Sequence, residues 1–107
     1  GSATAVPLFV VPPGGGVIRN LVASATTAPG GADTGIFTVQ RNPLAAGVYG
    51  GFADTALTCT ISAAGVEAKD ATHGVAVTEG DLLAIKVVSS NVTLAGLSAT
   101  LQFIQSP

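Results

Sequence analysis

The chain is predicted to be all-β, an antiparallel β-sandwich of jelly-roll type with seven or eight short strands or more. Three observations lead there. Apolar side chains recur at every second position in Leu57, Cys59 and Ile61, in Val75 and Val77, in Leu83, Ile85 and Val87, and in Leu97, Ala99, Leu101 and Phe103. That period belongs to strands with one dry face and one wet face. The residues between them are mostly Thr, Ser, Ala and Gln, and the intervening segments are rich in Gly, Asn, Asp and Ser, as antiparallel turns require. The runs succeed one another at about 8–12 residues without a helical stripe, the spacing of a sandwich or jelly roll rather than of parallel βαβ units.

Taken in order, residues 4–11 read as an extended segment, and Pro7 within it places that strand at an edge or a subunit boundary, where a backbone donor is not needed. Pro12, Pro13 and three glycines form a turn, and residues 17–25 resume as a second strand. Residues 27–34, with Pro29, Gly30 and Gly31, read as a flexible loop. Residues 35–41 form a third strand with Phe37 and Val39 inward and Thr38 and Gln40 outward, ended by Asn42 and Pro43. After an excursion comes a fourth strand over 55–62, then a polar turn over 63–72. Residues 74–78 and 82–89 are expected to form a hairpin, because Glu79, Gly80 and Asp81 supply a short glycine-bearing reversal. A turn over 89–93 and a closing strand over 98–104 complete the reading.

At 107 residues the chain fits a single domain. Residues 3–107 are assigned to it, and Gly1-Ser2 is read as an expression scar on a domain that fits within a longer protein. Charged residues make up 9% of the chain, against roughly 25% in an ordinary soluble domain. A surface built from Thr, Ser, Ala, Gly and Gln is cheap to desolvate against another protein, so burial between subunits is expected. The net charge is −2, and Arg19, Arg41, Lys69 and Lys86 are scattered, which leaves no electrostatic footprint for nucleic acid. No apolar run reaches the roughly 20 residues of a membrane-spanning helix, and membrane insertion is not expected. Cys59 is the only cysteine, so no intrachain disulfide exists, and its place on the apolar beat predicts a buried thiol.

The runs Gly35-Ile-Phe-Thr-Val-Gln-Arg-Asn42, Thr55-Ala-Leu-Thr-Cys-Thr-Ile61, His73-Gly-Val-Ala-Val-Thr-Glu-Gly-Asp-Leu-Leu83 and Leu97-Ser-Ala-Thr-Leu-Gln-Phe103 resemble the C-terminal jelly-roll heads of phage tail fibres and bacterial collagen-like filament proteins. Those heads are similar to the trimeric C1q and tumour-necrosis-factor fold. The resemblance spans roughly residues 4–104 and implies a non-enzymatic homotrimeric head, structural or adhesive, on a virion or at the cell surface, with a glycan or protein receptor; a purely structural virion decoration or fibre-cap protein and a monomeric carbohydrate-binding module are the alternatives. One departure is visible: the usual tight Asn-Gly turn after the third strand is replaced here by Asn42-Pro43 and a longer excursion to Asp54.

That excursion is the candidate working surface. It is glycine-rich, too much so for a regular strand, and carries Tyr49 and Phe52 close to Arg41 and Asn42. Aromatic faces beside polar groups suit stacking on a sugar ring or anchoring a protein partner, and they equally suit covering the end of a sandwich or lying in a subunit interface. Leu8, Val10 and Ile104, on the first and last strands, are the interface candidates. His73 is the only histidine; it is expected to be solvated or hydrogen-bonded, and three copies meeting on a trimer axis are the one arrangement that makes it a metal ligand. No cofactor is called for. Asp54, Glu67, Asp70 and Asp81 are expected in turns, where Asp bonds locally, rather than as a catalytic carboxylate pair. Asn91-Val92-Thr93 matches an N-glycosylation acceptor, a short match that matters only in a eukaryotic secretory route.

Overall fold

The computed structural model describes residues 2–89 and 95–107. No described residue is helical, and nine strands are formed: β1 (Ser2–Val10), β2 (Gly16–Ser24), β3 (Thr34–Asn42), β4 (Leu44–Ala45), β5 (Val48–Tyr49), β6 (Ala53–Ser62), β7 (Glu67–Val77), β8 (Leu82–Ser89) and β9 (Ser98–Gln105). A four-stranded sheet has the order β1-β8-β3-β6, a three-stranded sheet the order β7-β2-β9, and β4-β5 stands apart as a two-stranded ribbon. All neighbours are antiparallel. The first strand pairs with the eighth, the second with the seventh, the third with the sixth and the fourth with the fifth. A ribbon paired in this way and rolled on itself is the winding of a jelly roll. Strand β9 is an addition to it, laid along the other side of β2.

The core follows from the two-residue period. Phe37 and Val39 of β3, Leu57, Cys59 and Ile61 of β6, and Leu83 and Ile85 of β8 face Ile18, Leu21 and Ala23 of β2 and Val77 of β7 between the sheets. Cys59 is free and buried, and burial pushes its thiol up from the ordinary range, with the charge of Asp70 adding to the shift. It is therefore expected to react with a thiol reagent only slowly until denaturant is added; native labelling at the denatured rate would show that β6 presents its other face.

At the other side of the sandwich, Phe9 of β1 meets Phe103 of β9 edge to face, with ring centroids 5.7 Å apart. A cleft of about 460 Å³ opens between Val6, Leu8, Ile85 and Val87 on one sheet and Leu97, just before β9, with Ala99 of β9 on the other side. Where β2 passes β9 the backbones close up: a Cβ on Gly16 would stand 2.2 Å from the Ile104 carbonyl oxygen, so only glycine fits.

Several expectations are corrected. The segment 63–72 is not a turn throughout, because β7 begins at Glu67 and pairs Glu67–Asp70 with Ser24–Leu21. Its polar composition is that of an edge strand, with Glu67 and Lys69 exposed and Ala68 and Asp70 turned inward. Residues 74–78 and 82–89 do not form a hairpin: β7 joins β2, β8 lies between β1 and β3, and the turn at 79–81 crosses from one sheet to the other. Gly80, at φ 88°, makes that turn, and the Asp81 amide donates to the Thr78 carbonyl. Thr38 and Gln40 do point away from the core, yet both are buried, because Thr58 bonds Thr38 and Asp54 bonds Gln40 on the same face. Leu101 and Phe103 are partly rather than fully buried, since β9 is an edge strand, and Leu97 is exposed. Asp54, Glu67 and Asp70 lie in strands; of the four acidic candidates, only Asp81 is in a turn. The Asn91-Val92-Thr93 match and most of the expected 89–93 turn lie outside the described residues.

Candidate functional site: the ribbon between β3 and β6

The excursion between β3 and β6 is ordered as the β4-β5 ribbon, which corrects the expectation of an irregular loop. Leu44 pairs with Tyr49 and Ala45 with Val48. The two residues between, Ala46 and Gly47, both have positive φ, 52° and 78°, as the tight two-residue hairpin of type I′ requires. The sequence signal for such a turn is Asn-Gly or Asp-Gly; Ala-Gly hid it.

The ribbon is fastened at its base. The Asn42 side-chain oxygen accepts the Gly51 amide at 2.7 Å, closing the excursion on itself. The Arg41 Nε donates to the Asp81 carboxylate, which also accepts the Thr78 amide at 2.8 Å. The Tyr49 hydroxyl donates to the Gly80 carbonyl at 3.0 Å. The 79–81 turn is itself tied down, since the Val11 amide donates to the Asp81 carbonyl and the Gly80 amide to the Val11 carbonyl. Asp81 is 2% exposed. Tyr49→Phe removes one net hydrogen bond and is expected to cost about 0.5–1.5 kcal/mol in chemical denaturation, with the ring left in place; an unchanged midpoint would mean the hydroxyl does not anchor the ribbon.

Of the four sequence candidates here, Arg41 gives its Nε to Asp81 and Asn42 its side-chain oxygen to Gly51, while the Arg41 side chain stays partly exposed. Tyr49 and Phe52 remain partly exposed, and the structure adds Leu44 and Val48, the latter 66% exposed. These last two were missed because apolar residues in a glycine-rich loop carry no period. The outcome is an apolar tip on a rigid base, in a stretch, residues 42–53, that contains no charged residue.

The interface candidates Leu8, Val10 and Ile104 are all exposed, but not on one face. Leu8 turns into the cleft between the sheets. Val10 pairs with Leu82 on the outer side of the four-stranded sheet, and Ile104 pairs with Val17 on the outer side of the three-stranded one. On the first of these faces Lys86 binds the Asp54 carboxylate at 2.7 Å. That bond, helped by Gln40, holds Asp54 below the ordinary carboxylate range.

A second polar cluster forms on β7. Opposite Asn20 of β2, which has φ 54°, residues 71–73 bulge out of register. Asp70 gathers the bulge. It accepts the Thr72 amide and hydroxyl at 3.0 Å, the His73 amide at 3.2 Å, and, from β6 of the other sheet, the Thr58 amide at 3.2 Å. His73 Nδ1 lies 2.7 Å from the same carboxylate. Burial pushes the Asp70 carboxyl up, but the bonds from Thr72, the His73 ring, Thr58 and the His73 amide outweigh it and hold the group far below the usual carboxylate range. His73 is thus a hydrogen-bonded, half-exposed residue in mid-strand. No three His, Cys, Asp or Glu side chains gather among the described residues in a way that would hold a metal.

Comparison with family models, curated proteins and solved structures finds no match. The chain has to be read from its own geometry.

Proposed function

We propose that this chain is a non-enzymatic, homotrimeric head domain of surface-fibre type, on a virion or at a cell surface, in which the β4-β5 ribbon is a protein-contact surface. The observation that carries this reading is the exposed apolar tip of Leu44, Val48, Tyr49 and Phe52 on a base fixed by Arg41–Asp81, Asn42–Gly51 and Tyr49–Gly80. Leu44 and Tyr49 share one face of the ribbon and Val48 lies on the other, and exposed apolar side chains on a rigid support mark interaction sites. The low charge of the whole chain supports oligomerisation in the same sense. A second reading, adhesion to a glycan, rests on the partly exposed aromatic residues Tyr49 and Phe52, although the Arg41 Nε and the Asn42 side-chain oxygen are committed to Asp81 and Gly51.

Light scattering at micromolar concentration is the test. A trimer is expected, and a stable monomer would remove the oligomeric reading. Val48→Asp, at an open position, should leave the melting temperature unchanged and abolish the contact made by the ribbon. Glycan-array binding by the trimer that is lost in Tyr49→Ala but kept in Tyr49→Phe would place the adhesive reading first.

A further inference from the structure

Two halves of one joint are present in this chain and are not connected. The four-stranded sheet arises because the pair β1·β8 joins the pair β3·β6 through the contact of β8 with β3. The same roll applied to the remaining pairs, β2·β7 and β4·β5, would join them through β7 and β4. That contact is absent among the described strands: β7 is the outer strand of its sheet, and β4 pairs only with β5. Between them lies a cleft of about 410 Å³, walled by Gly74, Val75 and Ala76 of β7 on one side and by Arg41, Pro43 and Ala53–Thr55, at the roots of the ribbon, on the other. The ribbon stands off from β7 because its fastenings hold it against the 79–81 turn.

We infer that the β4-β5 ribbon of one copy docks on the free β7 edge of a second copy, completing between chains the joint that each chain leaves open. The partner fits for three reasons. The strand that the winding calls for beside β7 is carried by the same chain, with its outer edge unpaired. Residues 42–53 and 74–78 contain no charged side chain, and the two charged groups that wall the cleft, Arg41 and Asp54, are each ion-paired within the chain, to Asp81 and Lys86. Finally, the edge lacks the devices that keep strands from pairing: β1 has Pro7 and a register break, and the first half of β7 has Glu67, Lys69 and the Asp70 bulge, but residues 74–77 have neither charge, proline nor bulge. Strand addition at such an edge supplies main-chain hydrogen bonds, here to the two residues of β4. The contact is head to tail, so each copy gives one ribbon and receives another, and a closing rotation makes a ring.

This inference rests on the oligomeric reading above, and cross-linking separates the two. Leu44→Cys protein would be mixed with Gly74→Cys, Val75→Cys or Ala76→Cys protein and treated with a short bismaleimide; Leu44, Gly74 and Ala76 are exposed, and buried Cys59 in the parent is the control. Covalent heterodimer in at least one mixture and in no single variant is expected, together with a roughly tenfold or greater loss of association in Leu44→Asp and in Ala76→Lys. A trimer mass with no cross-link in any of the three mixtures overturns this contact while leaving the oligomer standing. A monomer mass overturns both.

Discussion

Replacing Phe37 with Ala is expected to lower the free energy of unfolding by about 3–5 kcal/mol, among the largest effects available to a single substitution here. Phe37 is 1% exposed and is the largest fully buried side chain. It sits on β3, one of the two interior strands of the four-stranded sheet, opposite Cys59 on β6 and Val87 on β8. Its ring also forms part of the wall of the cleft under Val6 and Leu8, so truncation would join the void left in the core to that opening. Urea unfolding would show the loss as a lower midpoint with an unchanged slope. A loss below about 1 kcal/mol would mean that the two sheets do not close on this residue.

Asp70→Ala is expected to cost about 3 kcal/mol, and here the cause is polar. The carboxylate satisfies three main-chain amides, of Thr58, Thr72 and His73, and the substitution leaves them without that acceptor. It also cuts a tie between the edges of the two sheets, since Thr58 belongs to β6 and Asp70 to β7. The pH dependence follows from the sign of the shift. The folded-state pKa of Asp70 lies below its unfolded value, so its contribution is fully present above the unfolded value of about 3.9 and is lost as the pH falls below that. The parent should therefore lose stability on acidification from about pH 5 downward more steeply than Asp70→Asn, whose curve is expected to be flatter over the same range. Parallel curves for the two proteins would show that other carboxylates carry the acid response.

The two-residue beat located the core because it is a local signal. Leu57, Cys59 and Ile61 are buried, and so are Val77, Leu83 and Ile85. What a single strand cannot carry is the identity of its partner. Residues 74–78 and 82–89 are neighbours in sequence joined by a glycine turn, and nothing local distinguishes a hairpin from a crossing between sheets; the difference lies in β2 and β3, tens of residues away. Edge strands are hard to read for a related reason. Glu67–Asp70 alternates, but with Ala and Asp on the inward side rather than large apolar residues, and so resembles a polar turn. At the candidate site, the aromatic residues announced the surface and the ribbon beneath them stayed hidden, because Ala46-Gly47 adopts a turn whose usual signature is absent. The roles of Arg41 and Asn42 depend on Asp81 and Gly51, and a side chain's partner leaves no trace in the pattern around it.

The winding also sets the order in which the chain can acquire structure as it is synthesised. Val6 must wait for Ile85, and Val17 for Ile104, before either finds its strand partner. Only β4·β5 and β3·β6 join segments close enough in sequence to close early, so the stretch from Thr34 to Ser62 is the natural nucleus, with the tight turn at Ala46-Gly47 at its tip. Everything outside it is paid for in loop-closure entropy before contacts reward it, which places this fold among the slow two-state topologies, on the scale of milliseconds to seconds. During that interval β1 and β2 wait with their edges bare, and residues 2–18 contain no charged side chain to keep other chains away.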